Sequence, residues 1–181
     1  MTDWESYWRG ITRTGVNGQV FWDVDPELAS LEDLNRFKRY MDPDLPLLDL
    51  GCGNGRQSRF LSRFFPKVIG VDLSSAAINL AKSEARSKAN LEFRVLDGVH
   101  PDEAFGLHKE VGDTNVYMRG VFHMIRWHDR SRFVDSLEVL LGSTGTLYQI
   151  ELCTSAILHL RSLSTEVFAQ IPKVTKRVRL L

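Results

Sequence analysis

The chain has 181 residues, 43% of them hydrophobic, which is enough for one packed core and short for two. Lys plus Arg and Asp plus Glu number 23 each, so no global field draws the protein to nucleic acid or an anionic membrane, and small-molecule partners are expected. Cys52 and Cys153 stand far apart without CxxC spacing, no basic segment leads into an apolar run at the N-terminus, and no apolar stretch approaches the roughly 20 residues that cross a bilayer, which together predict a reduced, cytoplasmic protein.

In chain order, Trp4, Tyr7, Trp8, Phe21 and Trp22 crowd ahead of a helix expected over Asp25–Tyr40. Residues 1–40 therefore read as an N-terminal aromatic cap. The prolines and aspartates of Met41–Pro46 stop that helix and launch a strand. Apolar runs of buried-strand length follow at Leu47–Leu50, Val68–Val71, Leu91–Leu96, Asn115–Met118 and Thr146–Ile150. Helical spacing of apolar residues fills Gly55–Phe65, Ser74–Lys88 and Arg130–Leu141, as at Phe133, Leu137 and Leu140. This alternation predicts an α/β fold with a mainly parallel sheet, right-handed crossovers and helices on both faces. The chain reads as a single domain: cap 1–40, core 41–152, and a C-terminal segment 153–181 with a helix over Ser155–Ala169 and one strand at most in Val174–Leu181. The basic ending Lys173, Lys176, Arg177 and Arg179 reads as a solvated face.

In such a sheet a ligand sits outside the carboxyl ends of the strands. The residues found there are Asp49 with Gly51-Cys52-Gly53-Asn54-Gly55, then Asp72, then Asp97-Gly98, then Arg119 to His123. Three glycines between a strand and a helix permit positive φ and let a ligand approach bare main chain. The spacing is GxGxG followed by Arg56, which suits a dinucleotide pyrophosphate less well than GxGxxG. Asp72 can accept hydrogen bonds from both ribose hydroxyls of an adenosine. Asp97 can accept from an exocyclic amine, or can simply close a turn before Gly98. His123 is the candidate proton acceptor, and a packed or solvent-facing histidine is the alternative. Arg119 can pair with a ligand carboxylate or form a structural ion pair. His123 and His128 lack the carboxylate pattern of a metal site, and neither a GxSxG elbow nor a P-loop occurs.

The order and spacing of LLDLGCGNG, VIGVDLS and FRVLDG, over about Leu47–Leu152, resemble the first motifs of class I S-adenosylmethionine-dependent methyltransferases. The resemblance implies a three-layer Rossmann-like fold, S-adenosyl-L-methionine as cofactor and S-adenosyl-L-homocysteine as product. It implies that Asp49 and the loop Gly51, Cys52, Gly53 and Gly55 hold the methionine part, Asp72 the ribose, Leu73 one face of adenine, and Asp97 with Gly98 the adenine amine. Trp4, Trp8 and Phe21-Trp22 are similar to the aromatic segment that closes over the cofactor in thiopurine-type and other small-molecule methyltransferases. Where amino-methylating enzymes of nucleic acid and protein carry an Asn-Pro-Pro-Tyr type of motif, this chain has Tyr117-Met118-Arg119-Gly120, which points to a small-molecule acceptor.

The family's sheet has seven strands and ends in an antiparallel hairpin, which the residues after Ile150 are too few to complete. The expectation is a hairpin incomplete or missing, from a truncated chain or a sheet edge completed by a partner such as a second copy. A small-molecule methyltransferase and a methyltransferase-like binding protein without transferase activity both stay open. An NAD(P)-dependent dehydrogenase is disfavoured by GxGxG and Asp97.

Overall fold

Leu47–Leu50 forms β1, the middle strand of the sheet, and all four of its residues are buried. In this computed structural model the residues described are 4–153, apart from 16, 21, 86 and 87. Val68–Asp72 (β2) and Asn115–Arg119 (β4) flank β1, with Leu91–Val95 (β3) and Leu147–Ile150 (β5) outside them, in the order β3-β2-β1-β4-β5. All four pairings are parallel, with Leu50 opposite Val71 and Met118. Parallel pairing requires crossovers, and the crossovers cover both faces.

On one face Leu48, Leu50, Ile69, Val71, Val116 and Met118 pack against Pro101–Val111 (α5) and Arg130–Leu141 (α6), through Ala104, Leu107, Phe133, Leu137 and Leu140. On the other, Leu47, Val68 and Tyr117 meet Leu34 and Phe37 of Ser30–Phe37 (α2) and Phe60 and Leu61 of Arg56–Leu61 (α3). Ser75–Glu84 (α4) joins that layer by packing Ile78 and Ala81 on Phe93. Trp4–Arg9 (α1) lies outermost, its Trp8 against Ala77 of α4.

All five expected strands form, two of them extended by one residue and two shortened by one. The helix expected over Asp25–Tyr40 begins only at Ser30 and ends in a 3-10 turn at Lys38–Tyr40, with turns over its first residues. Helix α5 was not foreshadowed by periodicity, because only Ala104 and Leu107 are buried in it. Its signals were Pro101 in the first turn with Asp102 and Glu103 beside it. The expected helix Ser155–Ala169, the strand in Val174–Leu181 and any final hairpin lie outside the described residues.

A polar tie pins α2 to the sheet. Asp33 of α2 is buried and accepts from Tyr117 Oη at 2.8 Å and Arg119 Nη1 at 2.8 Å. Replacing Tyr117 by Phe keeps the ring and removes one donor from a buried carboxylate. Urea unfolding should show a loss of about 1–3 kcal/mol, and an unchanged midpoint would show that this bond does not fasten the helix.

Candidate functional site

At the end of β1 the chain turns through Gly51, Gly53 and Gly55, all at positive φ (79°, 54° and 68°), before entering α3. All three positions are tight as well as left-handed, with Gly55 closed in by Phe93 and Ala81. A Cβ on Gly51 would lie 2.5 Å from Val121 Cγ2, and one on Gly53 would lie 2.7 Å from Trp8 Cζ2. The loop thus has the segment after β4 against one side and the aromatic cap against another.

Two carboxylates support the loop. Asp49 alternates with Leu48 and Leu50, so it faces α3, where the Ser58 hydroxyl donates to it. Burial pushes its pKa up to about 6, opposed by the Ser58 bond and assisted by nearby Asp72. Asp72, at the end of β2, accepts from Gly53 N at 3.0 Å and Ser74 N at 2.9 Å. Burial raises it to about 6 as well, against those two bonds. Each Asp72 oxygen takes one backbone N–H and retains acceptor capacity. Leu73 beside it is exposed, as a surface for a flat ring would be. Cys52 is buried, its thiol pushed well above its ordinary value by burial, and is inert packing rather than a nucleophile.

Asp97 closes the turn before Gly98: it accepts from Val99 N at 3.1 Å and its other oxygen lies 3.2 Å from His100 Nδ1. Its side chain nevertheless stays partly exposed at the end of β3. Arg119 pairs with Asp33, which gives it the structural ion pair among its two expected roles. His123 stands in the 3-10 turn Phe122–Met124 beyond β4, with Nδ1 2.6 Å from Glu151 Oε2.

The cap is latched by residues that the sequence did not single out. Glu5 of α1 accepts from Ser74 Oγ at 2.7 Å, Ser75 Oγ at 3.0 Å and Ala76 N at 3.2 Å, and the bonds from Ser74 and Ala76 do most to hold its pKa at about 2. Asp23 accepts from Gly15 N at 2.7 Å and Asn54 Nδ2 at 2.9 Å, and lies 3.5 Å from Arg56 Nη1, tying the cap to the glycine loop. Trp4, Tyr7, Trp8 and Trp22 pack mutually with ring centroids 5.4–6.4 Å apart. Tyr7 Oη and Arg56 Nη1 are buried without a hydrogen-bond partner among the described residues. Glu151 was also missed, although it follows the apolar run of β5 directly and the rule that drew attention to the other strand ends applies to it equally.

Bare main chain, a strand-end carboxylate with spare lone pairs, an exposed leucine next to it and orphaned donors nearby fit an adenosyl amino acid. The arrangement defines a Rossmann-like nucleoside-cofactor protein. Residues 47–145 match the family model described as a methyltransferase domain. The crystal structure of a SAM-dependent methyltransferase from Anabaena variabilis is 42% identical, covers 94% of this chain and 69% of its own, and superposes with a TM-score of 0.80. An uncharacterized methyltransferase of Schizosaccharomyces pombe is 31% identical over 103 residues, 56% of this chain and 68% of that protein. The ubiquinone biosynthesis O-methyltransferase of Acinetobacter baylyi is 29% identical over 83 residues, 41% of this chain and 35% of that protein. The chain belongs to the SAM-dependent methyltransferase family, and S-adenosylmethionine is its cofactor.

The two raised carboxylates set a pH dependence. Folded-state values near 6, against an ordinary 3.8, mean that the folded protein binds these protons more tightly than the unfolded chain. Their contribution thus favours the fold below pH 4 and is lost as pH rises through 6. The ribose-binding role that the resemblance implies for Asp72 needs its ionised form, and on that role affinity for S-adenosylhomocysteine should fall roughly tenfold from pH 7 to pH 5. Calorimetry across that range tests this, and Asp72→Asn should flatten the profile. An equally steep profile in the variant would move the titration to another group.

Proposed function

We propose that the protein transfers a methyl group from S-adenosylmethionine to a small molecule. The observation that carries this reading is the bare loop Gly51–Gly55 bracketed by Asp72 and the aromatic cap, at the carboxyl ends of adjacent parallel strands. When bound, the cofactor supplies an electrophilic methyl on a sulfonium, which leaves as the neutral thioether. The chain's part is alignment, exclusion of water and management of the acceptor's proton.

In this reading Asp72 accepts from the ribose hydroxyls, Leu73 lies against adenine, and Asp97 with Gly98 faces the adenine edge. The loop Gly51, Cys52, Gly53 and Gly55 holds the amino-acid end, with Asp49 bracing it through Ser58. Arg56 Nη1, which faces Asp23 at 3.5 Å, and Tyr7 Oη offer that end's carboxylate two donors that lack a hydrogen-bond partner among the described residues. Arg119, held by Asp33, lends positive charge to the same rim, and His123 is the proton acceptor. The small-molecule class is supported by the absence of an Asn-Pro-Pro-Tyr type of motif after β4 and by the Acinetobacter relative, whose name assigns it to ubiquinone biosynthesis.

Calorimetric titration with S-adenosylhomocysteine should give micromolar binding, with NAD(H) giving none. Asp72→Ala should weaken that binding by about 1.5–3 kcal/mol, and an unchanged affinity would remove Asp72 from the site.

The cap acts as a lid in the same reading. Trp8 covers Gly53, and the latches through Glu5 and Asp23 are polar and reversible. Trypsin should cleave within Thr12–Gln19 more slowly when S-adenosylhomocysteine is bound, and Glu5→Gln should speed cleavage in its absence. Equal rates with and without ligand would make the cap a fixed wall.

A further inference from the structure

Strands β4 and β5 end side by side, with Arg119 opposite Ile150. Gly120 donates to Ile150 O at 2.7 Å and turns the chain at φ 67°, which lays residues 121–124 over the strand ends. Glu151, one residue past β5, lies beneath that turn. It accepts from the backbone N–H of Val121, Phe122 and His123 at 3.2, 2.7 and 3.2 Å, and pairs with the ring of His123 at 2.6 Å. Burial raises the Glu151 carboxyl, but the His123 and Phe122 bonds outweigh it and hold the group below its ordinary value. An ionised carboxylate can only accept, so the proton between the two side chains belongs on Nδ1. Nε2 is then the bare nitrogen, and it has no hydrogen-bond partner among the described residues.

Aromatic residues flank the histidine in the chain, the Phe122 ring packing on Phe133 with centroids 5.9 Å apart. Phe122 precedes the histidine, Trp127 is 83% exposed, and the Arg130 guanidinium lies 5.1 Å from the Phe122 ring centroid and 5.6 Å from that of Trp127. Val121, in the same turn, packs on Gly51, so the dyad adjoins the cofactor loop.

We propose that Glu151 is a positioning residue that fixes the Nδ1–H tautomer of His123, and that Nε2 takes the proton of an aryl hydroxyl acceptor, for which the exposed Trp127 ring in the following turn offers a face. The inference rests on the methyl-transfer reading above. The acceptor O–H bond breaks and its proton goes to Nε2. The oxygen lone pair forms the O–CH3 bond as the S–CH3 bond breaks, and the sulfur keeps that bonding pair. The imidazolium is stabilised by the Glu151 carboxylate and returns its proton to water. A carboxylate acceptor would need no base, and an alkyl hydroxyl is too weakly acidic to suit an imidazole, whereas a phenol lies within reach.

The full chain, labelled with 15N-histidine and saturated with S-adenosylhomocysteine, should show His123 as the Nδ1–H tautomer in long-range proton–nitrogen spectra at pH 8, with the assignment made by loss of the signal in His123→Gln. Glu151→Ala should abolish that preference. With catechol, dithiothreitol, trans-aconitate and tryptamine as probes, methyl transfer from S-adenosylmethionine should favour catechol. His123→Ala should lower kcat about 100-fold and Glu151→Ala about 10- to 50-fold, each with the S-adenosylhomocysteine affinity within twofold of wild type, and the double variant should be no slower than His123→Ala. An Nε2–H tautomer in the wild-type protein, preference for another probe, no transfer to catechol, or additive losses would overturn the proposal while leaving cofactor binding intact. Failure to bind S-adenosylhomocysteine would instead overturn the function on which it rests.

Discussion

Strand β1 is hydrogen-bonded on both edges and buried on both faces, and the rest of the structure follows from satisfying that one segment. Its parallel neighbours need crossovers, the crossovers supply two helical layers, and the common strand direction brings the strand ends together on one rim. Because side chains alternate along a strand, Leu48 and Leu50 serve the α5/α6 face, while Leu47 and Asp49 serve the other. The buried polar groups on that second face, Asp49 and Tyr117, are answered by Ser58 of α3 and Asp33 of α2. Helix α2 is therefore placed by polarity as well as by apolar packing.

The glycine loop gathers constraints from three directions. Val121 abuts Gly51, Trp8 abuts Gly53, and Asp72 takes the Gly53 amide. A side chain at either glycine would collide with a neighbour as well as strain a left-handed backbone. Burying Asp49 and Asp72 near each other raises both above their ordinary range, a cost that the neighbouring hydroxyl and amides only partly offset. Such unmet acceptor capacity is what a ligand carrying hydroxyl donors would relieve, and its binding there would stabilise the loop.

The cap shows a different balance. Its aromatic rings give it an apolar underside that packs Trp8 on Ala77, and its polar attachments to the core include two carboxylates, Glu5 at the start of α4 and Asp23 at the glycine loop. Anions at helix starts are favourable and exchangeable with water. This combination suits a segment that covers the site and can be released, whereas a wholly apolar attachment would make release costly.

Local patterning was enough to read the strands, α6 and the family motifs, because buried strands and Gly-rich turns leave short-range marks in composition. It also marked Asp72, the glycine loop and His123, because all lie immediately after apolar runs. Helix α5 escaped because most of its residues face solvent, and α2 began late because turns, not helix, follow Asp25. What only the tertiary structure decided were partnerships across large separations: Asp33 with Arg119, Glu5 with Ser74, Asp23 with Asn54, and Glu151 with His123. A single charged residue in a loop carries no record of its partner, since that pairing is set by how the strands are ordered in the sheet and where each crossover lands.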